Sequence, residues 1–316
     1  MNLTLGNRNG TGSGNDVLTT AVGRNVTVVV LGITINYINA TMVHTFNKHQ
    51  VFRLNVRYIL FIHLVYNDMI QLTTSISLFI FFYAFNTIYV SLCCLFILPA
   101  IVTTLNTPLN LAFMAAECYI AVCTPLHYNY ICTIRRTYFA IGVIWTLSVL
   151  SVLPDVVILL ATEPLEFLNS RVHCNRDTVF RSIYSVKKRD ASHILFLVVV
   201  WLTLIYTYCR ILFVAKAANS DAKKARNTIL LHGFQVLLCM MVYVQPTLHQ
   251  VFSYLFPGAE KSVYFAIFII NQIIPRFASP IIYGLRDKTF RRYFRLHLLC
   301  TATTNIHPKT KQKMPS

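Results

Sequence analysis

Two charges stand alone inside apolar sequence. Asp68 interrupts the run from Tyr58 to about Phe82, and Arg276 interrupts the run from Ser262 to Leu285. A lone charge in a membrane-type segment costs a few kcal/mol on insertion scales, so each is a functional candidate. No other basic residue lies at comparable depth in such a run, which makes Arg276 the expected partner of Asp68 in a buried ion pair. Catalytic chemistry finds no support. The nine cysteines form no CxxC pair and no zinc-type spacing. The histidines are scattered without an HExxH, and no Gly-rich phosphate loop occurs. Neither an enzyme nor a cofactor or metal site is expected. Cys93, Cys94 and Cys174 are the cysteines placed to meet an oxidising compartment, where Cys174 can be tied to one of the other two.

The elements that hold these residues follow from composition. The chain has 316 residues, 55% apolar and 12% charged, with a mean hydropathy of +0.56. Soluble domains carry about a quarter charged residues, so a water-soluble globule is excluded. Residues 69 to 116 contain no Asp, Glu, Lys or Arg, a length that crosses a bilayer twice at about 20 residues per helix. Seven such stretches can be counted, beginning near Asn25, Tyr58, Ile88, Thr137, Ala191, Asn227 and Ser262. The period-two pattern of a membrane barrel is absent. The expected fold class is therefore an all-α membrane protein, a bundle of seven spanning helices over residues 26–285.

Orientation follows from the basic residues, since cytoplasmic loops are enriched in Lys and Arg. With the amino terminus outside, 18 of the 28 Lys and Arg fall in cytoplasmic segments and nine outside, Arg276 being the remaining one. The net charge of +17 then reads as loops facing anionic membrane lipids, with no nucleic-acid partner. Residues 1–25 form a polar extracellular segment in which Asn2, Asn9 and Asn25 begin glycosylation sequons. Residues 286–316 form a cytoplasmic segment. In it, Arg286 to Leu299 alternates basic residues with Phe290, Tyr293 and Phe294, as an amphipathic helix on the inner leaflet does, and Cys300 is a candidate for palmitoylation.

At the end of the third span stands Met114-Ala-Ala-Glu117-Cys118-Tyr119-Ile-Ala-Val-Cys123-Thr-Pro125-Leu-His-Tyr128. The seventh span closes on Ser279-Pro280-Ile-Ile-Tyr283-Gly-Leu-Arg286-Asp287-Lys288. Both motifs resemble those of odorant receptors, the fish type in particular, within the rhodopsin-like (class A) G protein-coupled receptors. Asn36, Asp68, Trp145 and Pro246 lie where that family has its landmarks. The resemblance implies a plasma-membrane receptor that binds a small-molecule odorant and signals to a heterotrimeric G protein of the olfactory stimulatory type. It implies that Cys93 is the disulfide partner of Cys174, that Asp68 and Arg276 face each other where relatives often hold a sodium ion, and that Glu117, Cys118, Tyr119 and Tyr283 lie at the coupling end. It also implies a ligand pocket in the outer half of the bundle. There Ile97, Ala100, Ile101, Thr104 and Leu105 share one face of the third span, and Val244, Thr247, Leu248 and Val251 one face of the sixth, with Ile269 on the seventh. These faces suit a small, mostly apolar ligand.

The chain departs from the pattern at two positions. The family's arginine is Cys118, and a thiol supplies neither charge nor a fork of donors, so weak coupling is expected. The asparagine of the last motif is Ser279. Alternatives of other kinds are a non-olfactory small-molecule or peptide receptor, for which the amino-terminal segment has only Asp16 as an acid, and a channel or transporter, for which no repeated broken helices are visible.

Overall fold

A computed structural model describes residues 10–85, 87–217, 250–278 and 288–298, together with isolated positions between 230 and 248. Asn2, Asn9, Val244, Pro246, Thr247, Ser279, Pro280, Tyr283 and Cys300 lie outside the described residues. The described chain is helical almost throughout. Helix α1 is Gly10–Lys48, α2 Gln50–Arg53, α3 Val56–Ala84, α4 Val90–Cys123, α5 Pro125–Ile131 and α6 Ile134–Thr162. Two short turns, α7 (Leu165–Leu168) and α8 (Arg176–Val179), precede α9, Ile183–Ala217. Glu260–Phe268 is α10, continued by a π turn over Ile269–Ile273, and Lys288–Leu298 is α11.

Among the described residues, five stretches are long and apolar enough to cross a membrane: Val22–Lys48, Val56–Tyr83, Val90–Cys123, Ile134–Thr162 and Ile183–Ile211. At 1.5 Å per residue each exceeds the 30 Å hydrocarbon core. Helix α1 starts at Gly10, within the polar segment that the composition reads as preceding the bundle. Local signals fit the boundaries. Asn55 caps α3 by accepting a hydrogen bond from the Arg57 amide (3.0 Å), and Pro125 occupies the first turn of α5, where a missing N–H costs nothing.

Helix α4 is the centre, with α3, α6 and α9 against it and α1 against α3. It contains Pro99 and Pro108, yet runs on as helix. The Thr103 hydroxyl donates to the carbonyl of Pro99 (2.7 Å), while the carbonyls left without an amide partner by the two prolines are those of Leu95 and Thr104, four residues before each. Trp145 on α6 donates its indole N–H to His63 of α3 (2.8 Å). Gly32 marks a close approach of α1 to α3, since a Cβ there would meet the terminal carbon of Ile76 at 2.1 Å.

At one end, a two-residue antiparallel ladder pairs Ile88 with Val172 and Tyr89 with Arg171, an element that composition did not announce. At the other end α11 lies against the bundle. Phe290 is 1% exposed, with ring contacts to Phe52 (5.2 Å), Tyr58 (5.9 Å) and Phe61 (5.8 Å), and Phe294 is buried beside it. Phe290 of α11 therefore packs against the ends of α2 and α3.

Candidate functional site

The buried stripes of these helices converge on three polar places. The first is at mid-depth. Asp68 on α3 and Arg276, three residues past the π turn, are 2% and 1% exposed, and the Arg276 Nε stands 3.9 Å from Asp68 Oδ1. The same guanidinium donates to the carbonyl of Asn271 within the π turn (3.1 Å). Wide π turns often occur at functional positions, and this one lets residues 271 and 276 face the same interior. The described helices also bury six side-chain amides at most 1% exposed, those of Asn39, Asn67, Gln71, Asn106, Asn110 and Asn271. Asn67 donates to Thr107 Oγ1 (2.8 Å) and to the Thr103 carbonyl (2.9 Å). Such dipoles stabilise ions far better than hydrocarbon does. Asn36 lies farther out, half-buried, and donates to Thr73 (3.1 Å).

The second place is the α2–α5 end. Glu117 is 5% exposed overall, and Arg57 reaches it from the first turn of α3 with Nε on Oε2 (3.2 Å) and Nη2 on Oε1 (3.4 Å). The Tyr128 hydroxyl donates to Oε1 at 2.8 Å. Burial first, and the Glu117 carboxylate second, push the Tyr128 phenol well above its ordinary value, so it remains the donor. Cys118 is 3% exposed, against Ile211 of α9, and Tyr119 meets the ring of Tyr206 at 5.8 Å. The charge that the motif lacks at position 118 thus stands on Arg57. Its distance of 60 residues from Glu117 hid it, because a basic residue at a span end reads as a lipid-facing one.

The third place is the ladder end. Cys93 and Cys174 are joined, with Cα atoms 5.6 Å apart, and Cys94 is a half-buried free thiol. The bond and the ladder together fasten the α6–α9 loop across α4. Non-reducing peptide mapping is expected to recover a Cys93–Cys174 peptide. A Cys94–Cys174 peptide, or free thiols at both positions, would overturn that pairing. Closing a loop of 81 residues lowers denatured-state entropy enough for Cys174→Ser to cost roughly 3–5 kcal/mol.

The expected ligand face on α4 divides in two. Ile97, Ile101 and Leu105 are buried in a cluster with Val152, Leu159, Val179 and Phe180, so they face α6 and the loop. Ala100 and Thr104 are half-buried on the α3 side, where Gln71 donates to Thr104 Oγ1 at 2.8 Å. Leu248 is half-buried and Val251 is 48% exposed. Ile269 packs with Phe79 and Phe268 toward α1 and α3. Asn25 is half-buried inside α1. Beside the α4 cluster lies an acid that sequence reasoning passed over. Asp155 on α6 is 1% exposed and holds Lys188 (2.8 Å) and Arg176 (3.4 Å). Its signal was present in an otherwise charge-free stretch, next to Pro154.

Helices of this length, with ionised groups paired across the interior, make the chain a multi-pass membrane protein. Residues 38–283 match the 7 transmembrane receptor family, rhodopsin type, and the chain belongs to that family. It is a receptor and not an enzyme. Its sequence is 29% identical over 283 residues to odorant receptor 131-2 of the zebrafish, Danio rerio, covering 88% of this chain and 86% of the relative. Human olfactory receptor 9A1 is 28% identical over 206 residues, 57% of this chain and 59% of the relative. Human olfactory receptor 6C76 is 26% identical over 202 residues, 58% of this chain and 60% of the relative.

Proposed function

We propose that the chain is an odorant receptor, which binds a small molecule in the disulfide-bonded half of its bundle and signals to a heterotrimeric G protein, of the stimulatory olfactory type, at the Glu117 end. The observation that carries this reading is the correspondence with an odorant receptor along 88% of the chain, together with the Glu117–Tyr128 run at the end of α4. In this reading seven helices span the plasma membrane between residues 26 and 285, with the amino terminus outside. The stapled loop then faces the odorant, and the basic ends near Arg53, Arg57 and α11 face the cytoplasm and the anionic lipids of its leaflet. Asn2 and Asn9 are the glycan acceptors. Asn25, half-buried inside α1, is the least suited of the three sequons.

The two halves of the α4 face give the ligand region its character. It is apolar, with the Thr104 hydroxyl beside Gln71 as a polar contact, and no acid lies between Cys93 and Leu105 to bind an amine. Cells expressing the full chain with a stimulatory G protein and a cAMP reporter, exposed to a panel of volatile and water-soluble odorants, should show ligand-evoked cAMP. Silence across the panel, with the receptor demonstrated at the surface, would overturn the reading.

A further inference from the structure

At the disulfide-bonded end, one buried carboxylate meets two cations. Asp155 belongs to the inward stripe of α6 formed with Ile144, Ser148, Val152 and Leu159. Lys188 Nζ, from the start of α9, donates to Asp155 Oδ1 (2.8 Å) and to the Ser151 carbonyl (2.7 Å). Arg176, from the loop just past the Cys174 bond, donates through Nη2 to Asp155 Oδ2 (3.4 Å). The inner trio therefore carries one positive charge in excess. Two further carboxylates of this end, Asp177 and Asp190, both engage Arg189 and have side chains 57% and 59% exposed, so that water screens the attraction of Asp177 for Arg176.

We propose that Lys188 and Arg176 form a recognition site for the anionic group of an organic ligand, a carboxylate attached to an apolar body. This proposal rests on the odorant-receptor reading and names the ligand class. An ammonium has three N–H donors and a guanidinium five. Among the described residues Lys188 engages two acceptors and Arg176 one, so donors remain on both cations. Their side chains are 27% and 20% exposed, open enough to be reached and dry enough for charge to count. Arg176 is poorly compensated as it stands. Burial first, with opposition from neighbouring Arg189, holds its guanidinium below the ordinary arginine value despite Asp155. An arriving anion relieves that excess and converts charge-assisted hydrogen bonds into affinity. The apolar body has partly open side chains at hand, since Val156, Leu168 and Val172 are half-buried at the rim of the cluster that Val152, Leu159, Val179 and Phe180 form against Ile97 and Ile101 of α4.

The experiment uses the full receptor in the cAMP assay, with surface expression measured alongside. The probes are straight-chain carboxylic acids of four to ten carbons, each with its methyl ester and primary alcohol. The acids should activate, and their esters and alcohols should be at least tenfold weaker. Lys188→Gln and Arg176→Gln should each raise the half-maximal acid concentration about tenfold or more at equal surface expression, while Lys188→Arg retains the response. Arg176→Gln leaves the Lys188–Asp155 bridge in place and guards against a folding artefact in the lysine variant. Activation by esters or alcohols but not by acids would overturn the anion site and leave the receptor reading standing. Acid responses unchanged in both Gln variants would overturn it as well. A receptor present at the surface but silent to all three series and to the wider odorant panel would remove both proposals together.

Discussion

Asp68→Asn and Arg276→Gln are each expected to lower the folded, surface-expressed fraction sharply, and the double variant to recover much of the loss. Both side chains are at most 2% exposed, and their charges lie 3.9 Å apart. Removing one partner of a buried pair typically costs about 3–5 kcal/mol, because the remaining charge keeps its desolvation penalty and loses its neutraliser. Removing both leaves no orphan. The cycle should therefore give a coupling of about 1 kcal/mol or more. The Asn271 carbonyl, which accepts from Arg276, softens the loss without cancelling it, since a dipole stabilises a charge but does not neutralise it. A resident guanidinium also does the work of a cation, so ligand affinity should be indifferent to sodium. Additive losses, or a strong sodium dependence, would show that the two charges act independently.

The second large effect is expected at the other end of α4. Arg57→Gln leaves the Glu117 carboxylate, 4% exposed, with Tyr128 as its remaining donor. The Arg57 side chain is 46% exposed, so solvent already weakens the bridge and the cost falls to about 1–3 kcal/mol. Cys118→Arg placed on top of Arg57→Gln should restore part of it, because a guanidinium then returns within reach of the same carboxylate. In the otherwise unchanged receptor, Cys118→Arg should raise ligand-evoked cAMP at constant surface expression. No rescue in the double variant would show that Glu117 is stabilised chiefly by Tyr128. Unchanged cAMP in the single variant would show that coupling does not run through position 118.

What could be read from the sequence was whatever depends on contiguous composition. A run of 48 residues without a charge has one physical solution in a bilayer, and the helices α3 and α4 occupy it. Asp68 and Arg276 stood out because each interrupts such a run, and the structure sets them face to face. The groups that escaped are defined by what approaches from elsewhere. Arg57 looks like any basic residue at a span end until α4 brings Glu117 to it. Asp155 is a single acid near the end of α6, and its meaning comes from a loop and from α9. The spacing of Ile97, Ala100, Ile101, Thr104 and Leu105 does define one broad helical face. It does not say that the two edges of that face meet different neighbours. The π turn has no compositional mark at all, since Ile269–Ile273 is ordinary helical sequence.

The two prolines of α4 carry a mechanical consequence. Proline has no amide hydrogen, so the turns closed by Pro99 and Pro108 each lack a backbone hydrogen bond, and a helix bends most easily at such joints. The joints divide the central rod into three lengths. The first, from Val90, is anchored through Cys93; the second bears Ile101, Thr104 and Leu105; the third ends at Glu117 and Cys123. Because the first length is held fast, a load applied to the second can tilt it only relative to that anchor. The far length, which carries Glu117, is the part of the rod that a bend at Pro108 would reorient relative to the anchored one.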